Sequence, residues 1–322
     1  MSDAATQHAP EPASSQAASK PVKPVLSVVV PAYNEGRAIV EVLQHLLGVL
    51  ERLPVPSEVV VVNDGSKDDT AAKVKSVPGV RLIENPVNLG YGHSLIRGYT
   101  AAEGELLAMI DADGTYPAEA LLELYDLIAK GSDHAIGQRT GKNFQRLWSK
   151  RHIYRWLCQY VVGQRVPDAN SGLRIFRRKL LDTLRGDLCL GFSFTTSLTL
   201  SSIMSGYVVT HTPMRYETRV GHSHVRTKDV LRTMQYLFQL IAVYNPLKLF
   251  LPFVFLAFAV GIAGTAYGVL KQSGNGFLLA VIMLGTMFLL IGQAAQAYIH
   301  SRMGLYPAWR LRQREEDPSA DA

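Results

Sequence analysis

The chain has 322 residues, of which 48% are hydrophobic and 19% charged, with 33 Lys+Arg against 27 Asp+Glu. That length supports a core of ordinary size, the aliphatic and aromatic content excludes wholesale disorder, and two cysteines, Cys158 and Cys189, exclude a disulfide scaffold. The formal charge of +6 comes with no zinc-finger spacing, Walker A sequence or RNA-binding signature, so nucleic acid is not an expected partner.

A mean hydropathy of +0.08 at ordinary charge content says that apolar residues are bunched somewhere. In chain order, residues 1–24 come first. They hold Ala, Ser, Gln and Pro, no aromatic residue, and the cancelling charges Asp3, Glu11, Lys20 and Lys23. With no apolar stretch of signal-peptide type, they read as a disordered tail.

Residues 25–226 follow with an α/β pattern. Residues 26–31 (LSVVVP), 58–63 (EVVVVN), 80–83 and 105–111 are strand-like runs separated by amphipathic segments of helix length. Near-continuous apolar strands alternating with helices predict a mostly parallel sheet covered on both faces. Ligands of such sheets sit beyond the carboxyl ends of the strands, which directs attention to 31–35, 63–69 and 111–117.

At the second strand end, Asn63-Asp64-Gly65-Ser66 reads on its own as a turn, with Ser66 capping a helix and Asp69 completing a capping box. Asn88-Leu89-Gly90-Tyr91-Gly92 is not a dinucleotide fingerprint, because the third glycine that pattern needs is replaced by Leu95; a loop opening a helix at a phosphate or ribose remains open. After the fourth strand stand Asp111 and Asp113. Carboxylates at i and i+2 on a strand end point to one side and repel unless a cation lies between them. A hard divalent ion, Mg²⁺ or Mn²⁺ with diphosphate, suits such oxygen ligands; an Asp-rich turn closed by Gly114 is the plainer reading.

From Arg139 to Arg178 ten basic residues face one acid, Asp168, an excess of +9 that is larger than that of the whole chain. Trp148, Tyr154, Trp156 and Tyr160 are interleaved, a composition suited to an anionic bilayer surface as well as to a solvated helix face. Residues 227–245 read either as an amphipathic interfacial helix or as a packed core helix. Residues 249–270 and 277–299 then run for 22 and 23 positions without a charge, each long enough to span a bilayer, joined by the polar 271–276. They predict a transmembrane hairpin over 246–304, with Gly264 and Gly268 available for close packing and lipid-facing surfaces that allow copies to associate. Basic residues on both flanks, among them Arg232, Lys248, Arg302 and Arg310, put both long ends and a tail at 305–322 in the cytoplasm.

Taken together, SVVVPAYNE (27–35), VVNDGSKDDT (61–70), NLGYG (88–92), DADGTYP (111–117), DANSGLRIF (168–176) and RVGHSHVR (219–226) resemble glycosyltransferase family 2. Their order and the following hairpin are similar to its polyprenyl-phosphate branch, the dolichol-phosphate mannose synthase-like enzymes. The resemblance covers residues 25–300 and implies a GT-A fold that binds a nucleotide-sugar. It implies that Pro31, Ala32, Tyr33 and Glu35, with Asn88 and Gly90, line the nucleotide and that Asp64 recognises the base. Asp111 and Asp113, with Thr115 beside them, would hold metal and diphosphate. Arg139, Ser171, Arg174, Arg219, Ser223 and His224 are the candidates to hold phosphates, with Arg139 and Arg219 taking part in catalysis. Two departures stand out: Gly114-Thr115 replaces the Leu-Gln common in relatives, and His224 replaces a Lys.

A phosphate acceptor simplifies the chemistry, since its second pKa lies near 6 and its oxygen is already an anionic nucleophile at neutral pH. Alignment and stabilisation of the departing diphosphate then do most of the work. The expectation is an inverting hexosyl transfer from a UDP- or GDP-sugar to a polyprenyl phosphate at the cytoplasmic membrane face. A lipid or glycan hydroxyl as acceptor, which would need a general base, and a non-catalytic nucleotide-sugar-binding scaffold are the alternatives.

Overall fold

The computed structural model describes residues 23–141, 148–191, 193–218, 227–272 and 274–316. All but the last two residues of the expected tail 1–24 lie outside these, as do Arg219, Ser223 and His224.

Four strands form at the β-branched runs: β1 (Leu26–Ala32), β2 (Ser57–Asn63), β3 (Val80–Glu84) and β4 (Leu106–Met109). With β5 (His134–Thr140), β6 (Arg174–Arg177) and β7 (Val209–Arg215) they make one sheet of order β3-β2-β1-β4-β6-β5-β7. β1 pairs in parallel with β2 and β4, β2 with β3, and β5 with β7. β6 runs antiparallel to both its neighbours, so the sheet is mostly parallel with one reversed strand inside it.

The helices are α1 (Ile39–Leu50), α2 (Thr70–Lys75), α3 (Tyr91–Ala101), α4 (Ala120–Ala129), α5 (Trp148–Val162), α6 (Arg178–Leu184), α7 (Phe194–Met204), α8 (Thr227–Tyr244), α9 (Pro246–Lys271) and α10 (Gly274–Glu316). Val28 and Val30 of β1 pack with Leu43 and Leu46 of α1 and Leu121 and Leu124 of α4. Val29, Val60 and Met109 pack on the opposite face with Leu95 and Tyr99 of α3 and Phe194 of α7. Neighbouring strand residues thus enter two different apolar layers, which is why the strands read as unbroken hydrophobic runs. α2 starts at Thr70 with no side-chain cap at Asp69, contrary to the capping box expected from Ser66. Ser66 Oγ instead accepts the Asn34 N–H at 3.0 Å, so the serine ties two loops together rather than starting a helix.

α8 is helical as expected, and one face of it is core: Tyr236, Leu237, Leu240 and Ile241 pack with Cys158 and Val161 of α5 and Leu200 of α7. Both α9 and the first part of α10 (Gly274–Ile299) have a mean hydropathy of 2.2, with only 11% and 6% of their apolar windows buried. Both are long and apolar enough to cross a membrane, and apolar surface left that open suits a hydrocarbon environment. The two helices approach closely at glycines, since a Cβ on Gly276 would stand 2.5 Å from Gly268 N. Helix takes up most of the segment expected as a connector: α9 ends at Lys271, Gln272 turns the chain at φ 48°, and α10 begins at Gly274. α10 continues for 43 residues, roughly 64 Å, so much of the stretch expected as a tail is helix through Glu316.

Candidate active site

The carboxyl ends of β1 and β2 are tied by a lattice of loop hydrogen bonds. Asn34, in the left-handed region at φ 56°, receives the Lys67 N–H on Oδ1 at 2.8 Å. The Glu35 N–H donates to Thr70 Oγ1 at 3.0 Å, and the Gly36 N–H to Asp68 Oδ2 at 3.1 Å. Tyr33 and Glu35 are half-buried at the rim of this lattice beside Pro31, while Ala32 is buried at the end of β1. Asp64 is 4% exposed and its carboxylate organises the adjoining loop: Oδ1 accepts Asn85 Nδ2 at 2.7 Å and Leu89 N at 2.9 Å, and Oδ2 accepts Gly90 N at 2.8 Å. The side chain expected to read a base therefore also shapes the loop carrying Asn88 and Gly90, and Asn88 is exposed.

Past β4, Asp111 Oδ1 accepts the Tyr91 hydroxyl at 2.8 Å. Asp113 is 4% exposed, and its Oδ1 accepts both the N–H of Thr115 at 3.1 Å and its hydroxyl at 2.6 Å. Thr115 is fully buried and stands behind Asp113, its N–H and hydroxyl both given to that carboxylate. Burial first, and then the Asp111 charge, raise the Tyr91 pKa well above its ordinary value, which keeps the phenol protonated as a donor. Among the described residues no group of three or more His, Cys, Asp or Glu side chains stands ready to hold a metal. Two carboxylates alone suit Mg²⁺ or Mn²⁺, which keep water and diphosphate oxygens for the rest of their shell. Asp111 and Asp113 would be the protein ligands.

Arg139 lies near the end of β5. Its Nε and NH2 donate to Asp168 Oδ2 and Oδ1, each at 2.8 Å, and its Cζ sits 5.6 Å from the centre of the Tyr216 ring. Burial alone would raise the Asp168 pKa; the Arg139 charge and its two bonds outweigh that and hold the carboxyl below the usual carboxylate range. The pair borders a cavity of about 340 Å³ lined also by Thr140, His152, Arg155 and Asn170, with Cys158 and Val166 supplying apolar wall. Burial pushes the Cys158 thiol up to about 12, so it serves as wall and not as nucleophile.

A chain of contacts joins the two regions. Gly172 lies against Asp111, and its N–H donates to the Tyr116 hydroxyl at 2.7 Å. Tyr116 meets Tyr216 edge-on with centroids 5.2 Å apart, and Arg139 covers Tyr216. Ser171 and Arg174 do not share in this opening. Both are fully buried, and the Arg174 guanidinium donates to Ser171 O, Thr195 O and Thr199 Oγ1. Arg174 so knits β6 to α7, and neither of these two residues, expected to hold phosphates, lines the cavity at Arg139. His152 was missed, since a single histidine in a basic helix carries no spacing signal, and so were Tyr91 and Gly172.

The family profile described as Glycosyl transferase family 2 matches residues 27–185. A dolichyl-phosphate hexose transferase from Haloferax volcanii is 32% identical over 202 residues, covering 62% of this chain and 85% of that one. The chain belongs to glycosyl transferase family 2. Within the family it is also similar to a dolichol-phosphate mannosyltransferase of Pyrococcus furiosus, 26% identical over 228 residues, which are 67% of this chain and 63% of that one. An undecaprenyl-phosphate 4-deoxy-4-formamido-L-arabinose transferase of Sodalis glossinidius is 30% identical over 167 residues, 49% of this chain; the chain spans about half (51%) of that relative's length. Among solved structures, glucosyl-3-phosphoglycerate synthase from Mycobacterium tuberculosis with Mn²⁺, UDP and phosphoglyceric acid superposes with a TM-score of 0.52. It is 23% identical and covers 68% of this chain and 76% of its own, a likeness of fold that agrees with the expected GT-A architecture.

Proposed function

We propose that this family 2 glycosyltransferase transfers a hexose, with inversion, from a UDP- or GDP-sugar to a polyprenyl phosphate, and that the α9–α10 hairpin anchors it with the catalytic domain at the cytoplasmic face. The observation that carries the reading is the connection of the Asp111–Asp113 pair, through Gly172, Tyr116 and Tyr216, to the cationic cavity at Arg139. The polyprenyl-phosphate substrates in the relatives' names, and the Mn²⁺ and UDP in the solved neighbour, support it.

The nucleotide would lie against 31–35 and the Asp64-bound loop. A divalent ion on Asp111 and Asp113, when bound, supplies Lewis-acid neutralisation of the diphosphate. Arg139 and Arg155 offer donors to an acceptor phosphate in the cavity, and its Val166 and Cys158 wall suits the first apolar carbons beyond that phosphate. A phosphate oxygen aligned by these groups needs no strong base, so orientation and charge neutralisation are what this chain's residues provide. Arg219, Ser223 and His224, on a segment outside the described residues, would complete the phosphate donors.

Full-length protein in detergent, incubated with polyprenyl phosphate, UDP- or GDP-hexoses and Mg²⁺ or Mn²⁺, is expected to form a lipid-phosphate sugar detectable by mass spectrometry. Asp113→Ala is expected to lower turnover at least 100-fold, about 3 kcal/mol. Absence of product across the donor panel refutes the reading. Preferential glycosylation of diacylglycerol or ceramide in competition with polyprenyl phosphate would replace it by the hydroxyl-acceptor alternative.

A further inference from the structure

Asp111 is held from two sides. Tyr91 OH donates to Oδ1 at 2.8 Å, while on the other side a Cβ on Gly172 would lie 2.4 Å from Oδ2 and 2.7 Å from Cγ. The carboxylate therefore occupies room that only a glycine leaves. Tyr91 is itself fixed. It is the first residue of α3, and the two amides before it, Leu89 and Gly90, are both taken by Asp64. The residue after it cannot gain a side chain either, because a Cβ on Gly92 would stand 2.5 Å from the Leu190 carbonyl. A phenol on a segment so constrained has little freedom to leave its partner.

We infer that Tyr91 is the positioning residue of the first metal carboxylate, fixing Asp111 against the bare backbone of Gly172. The inference rests on the metal-dependent reading above and deepens it. Its physical basis is general: a ligating carboxylate is oriented by the donors that bind it, and loss of one such donor weakens metal binding 10–100-fold. Asp64 binds the two amides that immediately precede Tyr91, so the loop proposed to border the nucleotide also sets the metal end of the site.

The test is a Mn²⁺ titration of the full-length protein in detergent, with UDP and in parallel with GDP, following free Mn²⁺ by electron paramagnetic resonance. Tyr91→Phe keeps the ring and removes the donor, and is expected to raise the Mn²⁺ Kd roughly 10–100-fold. Turnover should be regained at saturating Mn²⁺, so that the metal KM moves and kcat does not. Gly172→Ala, which displaces the same carboxylate from its other side, is expected to raise the Mn²⁺ Kd as well. A Tyr91→Phe Kd within twofold of wild type, while Asp113→Ala abolishes binding, overturns the role of Tyr91 and leaves the metal reading standing. A kcat that stays low at saturating Mn²⁺ also overturns it, marking a structural defect of the loop. Wild-type protein that binds no Mn²⁺ with either nucleotide overturns the metal reading and this inference together.

Discussion

Arg139→Ala should cost stability out of proportion to the size of the side chain removed. In the folded chain the Arg139 and Asp168 side chains are 13% and 5% exposed, and Asp168 receives two guanidinium N–H bonds together with the Arg139 backbone N–H at 3.2 Å. Removing the guanidinium leaves a carboxylate in a place where burial disfavours its charge, and breaking a buried pair from one side costs about 3–5 kcal/mol. For a domain of this size, at about 2–4 °C per kcal/mol, that is a fall in Tm of roughly 6–20 °C. Asp168→Ala should cost a similar amount, because it strands the cation instead. The double variant loses both charges together, so its cost should fall short of the sum of the single costs by at least about 2 kcal/mol. Tryptophan fluorescence melts of all four proteins in one detergent measure this cycle. Additivity within about 0.5 kcal/mol would refute the pairing argument. The transfer assay then separates packing from chemistry. The double variant should recover much of the fold yet bind polyprenyl phosphate weakly, and full recovery of acceptor KM would remove Arg139 from the acceptor site.

Two further outcomes can be checked. Burial, with the Arg174 charge behind it, holds the His134 pKa well below 6.5, and burial holds that of His211 at about 4. Both are neutral when folded and gain protons more readily when unfolded, so their contribution is complete above pH 6.5 and is lost as pH falls from there toward 4. The loss is about 1–2 kcal/mol per histidine by pH 5, and a stability profile of His134→Gln/His211→Gln that keeps the wild-type slope over that window would contradict it. In the hairpin, Gly276→Leu should force α9 and α10 apart at a cost of about 1–3 kcal/mol, whereas Gly274→Leu, where an added Cβ meets nothing within 4 Å, should not. Spin-label distances between the two helices distinguish the variants, and equal spacing in both would refute the close crossing.

The first four strands and the two apolar helices were legible because their signals are local. β1, β2 and β3 lie within one or two residues of their β-branched runs, and each nucleotide-side motif directly follows its own strand. β6 and α7 escaped for a physical reason. β6 is four residues long and begins at Arg174, a charge that reads as surface but is fully buried and bonded to carbonyl oxygens. α7 (FTTSLTLSSIM) is rich in hydroxyls yet buried. Ser197 donates to Phe194 O, Thr199 to Thr195 O and Ser202 to Leu198 O, so the helix satisfies these three polar side chains itself. Composition read without those partners does not suggest a core helix. The same holds for Ser66, whose turn context predicted a cap until its partner across the loop was known.

The reversed strand also accounts for the uneven legibility of the site. β6 runs against β4 and β5, so the residues that precede it, 168–173, emerge at the edge where those parallel strands end. Asp168 is thereby brought to Arg139 across 29 positions, and Gly172 to Asp111. Neither meeting follows from a spacing rule, because both depend on the direction of one strand. The loops at 31–35, 63–69 and 111–117 each leave their own strand, and within the last of them Tyr116 reaches the Arg139 side through Tyr216. A change within 168–173 acts on the neighbour of Asp111 and the partner of Arg139 together. That short segment is a mechanical link between Asp111 and the cavity at Arg139, and its two ends should be coupled.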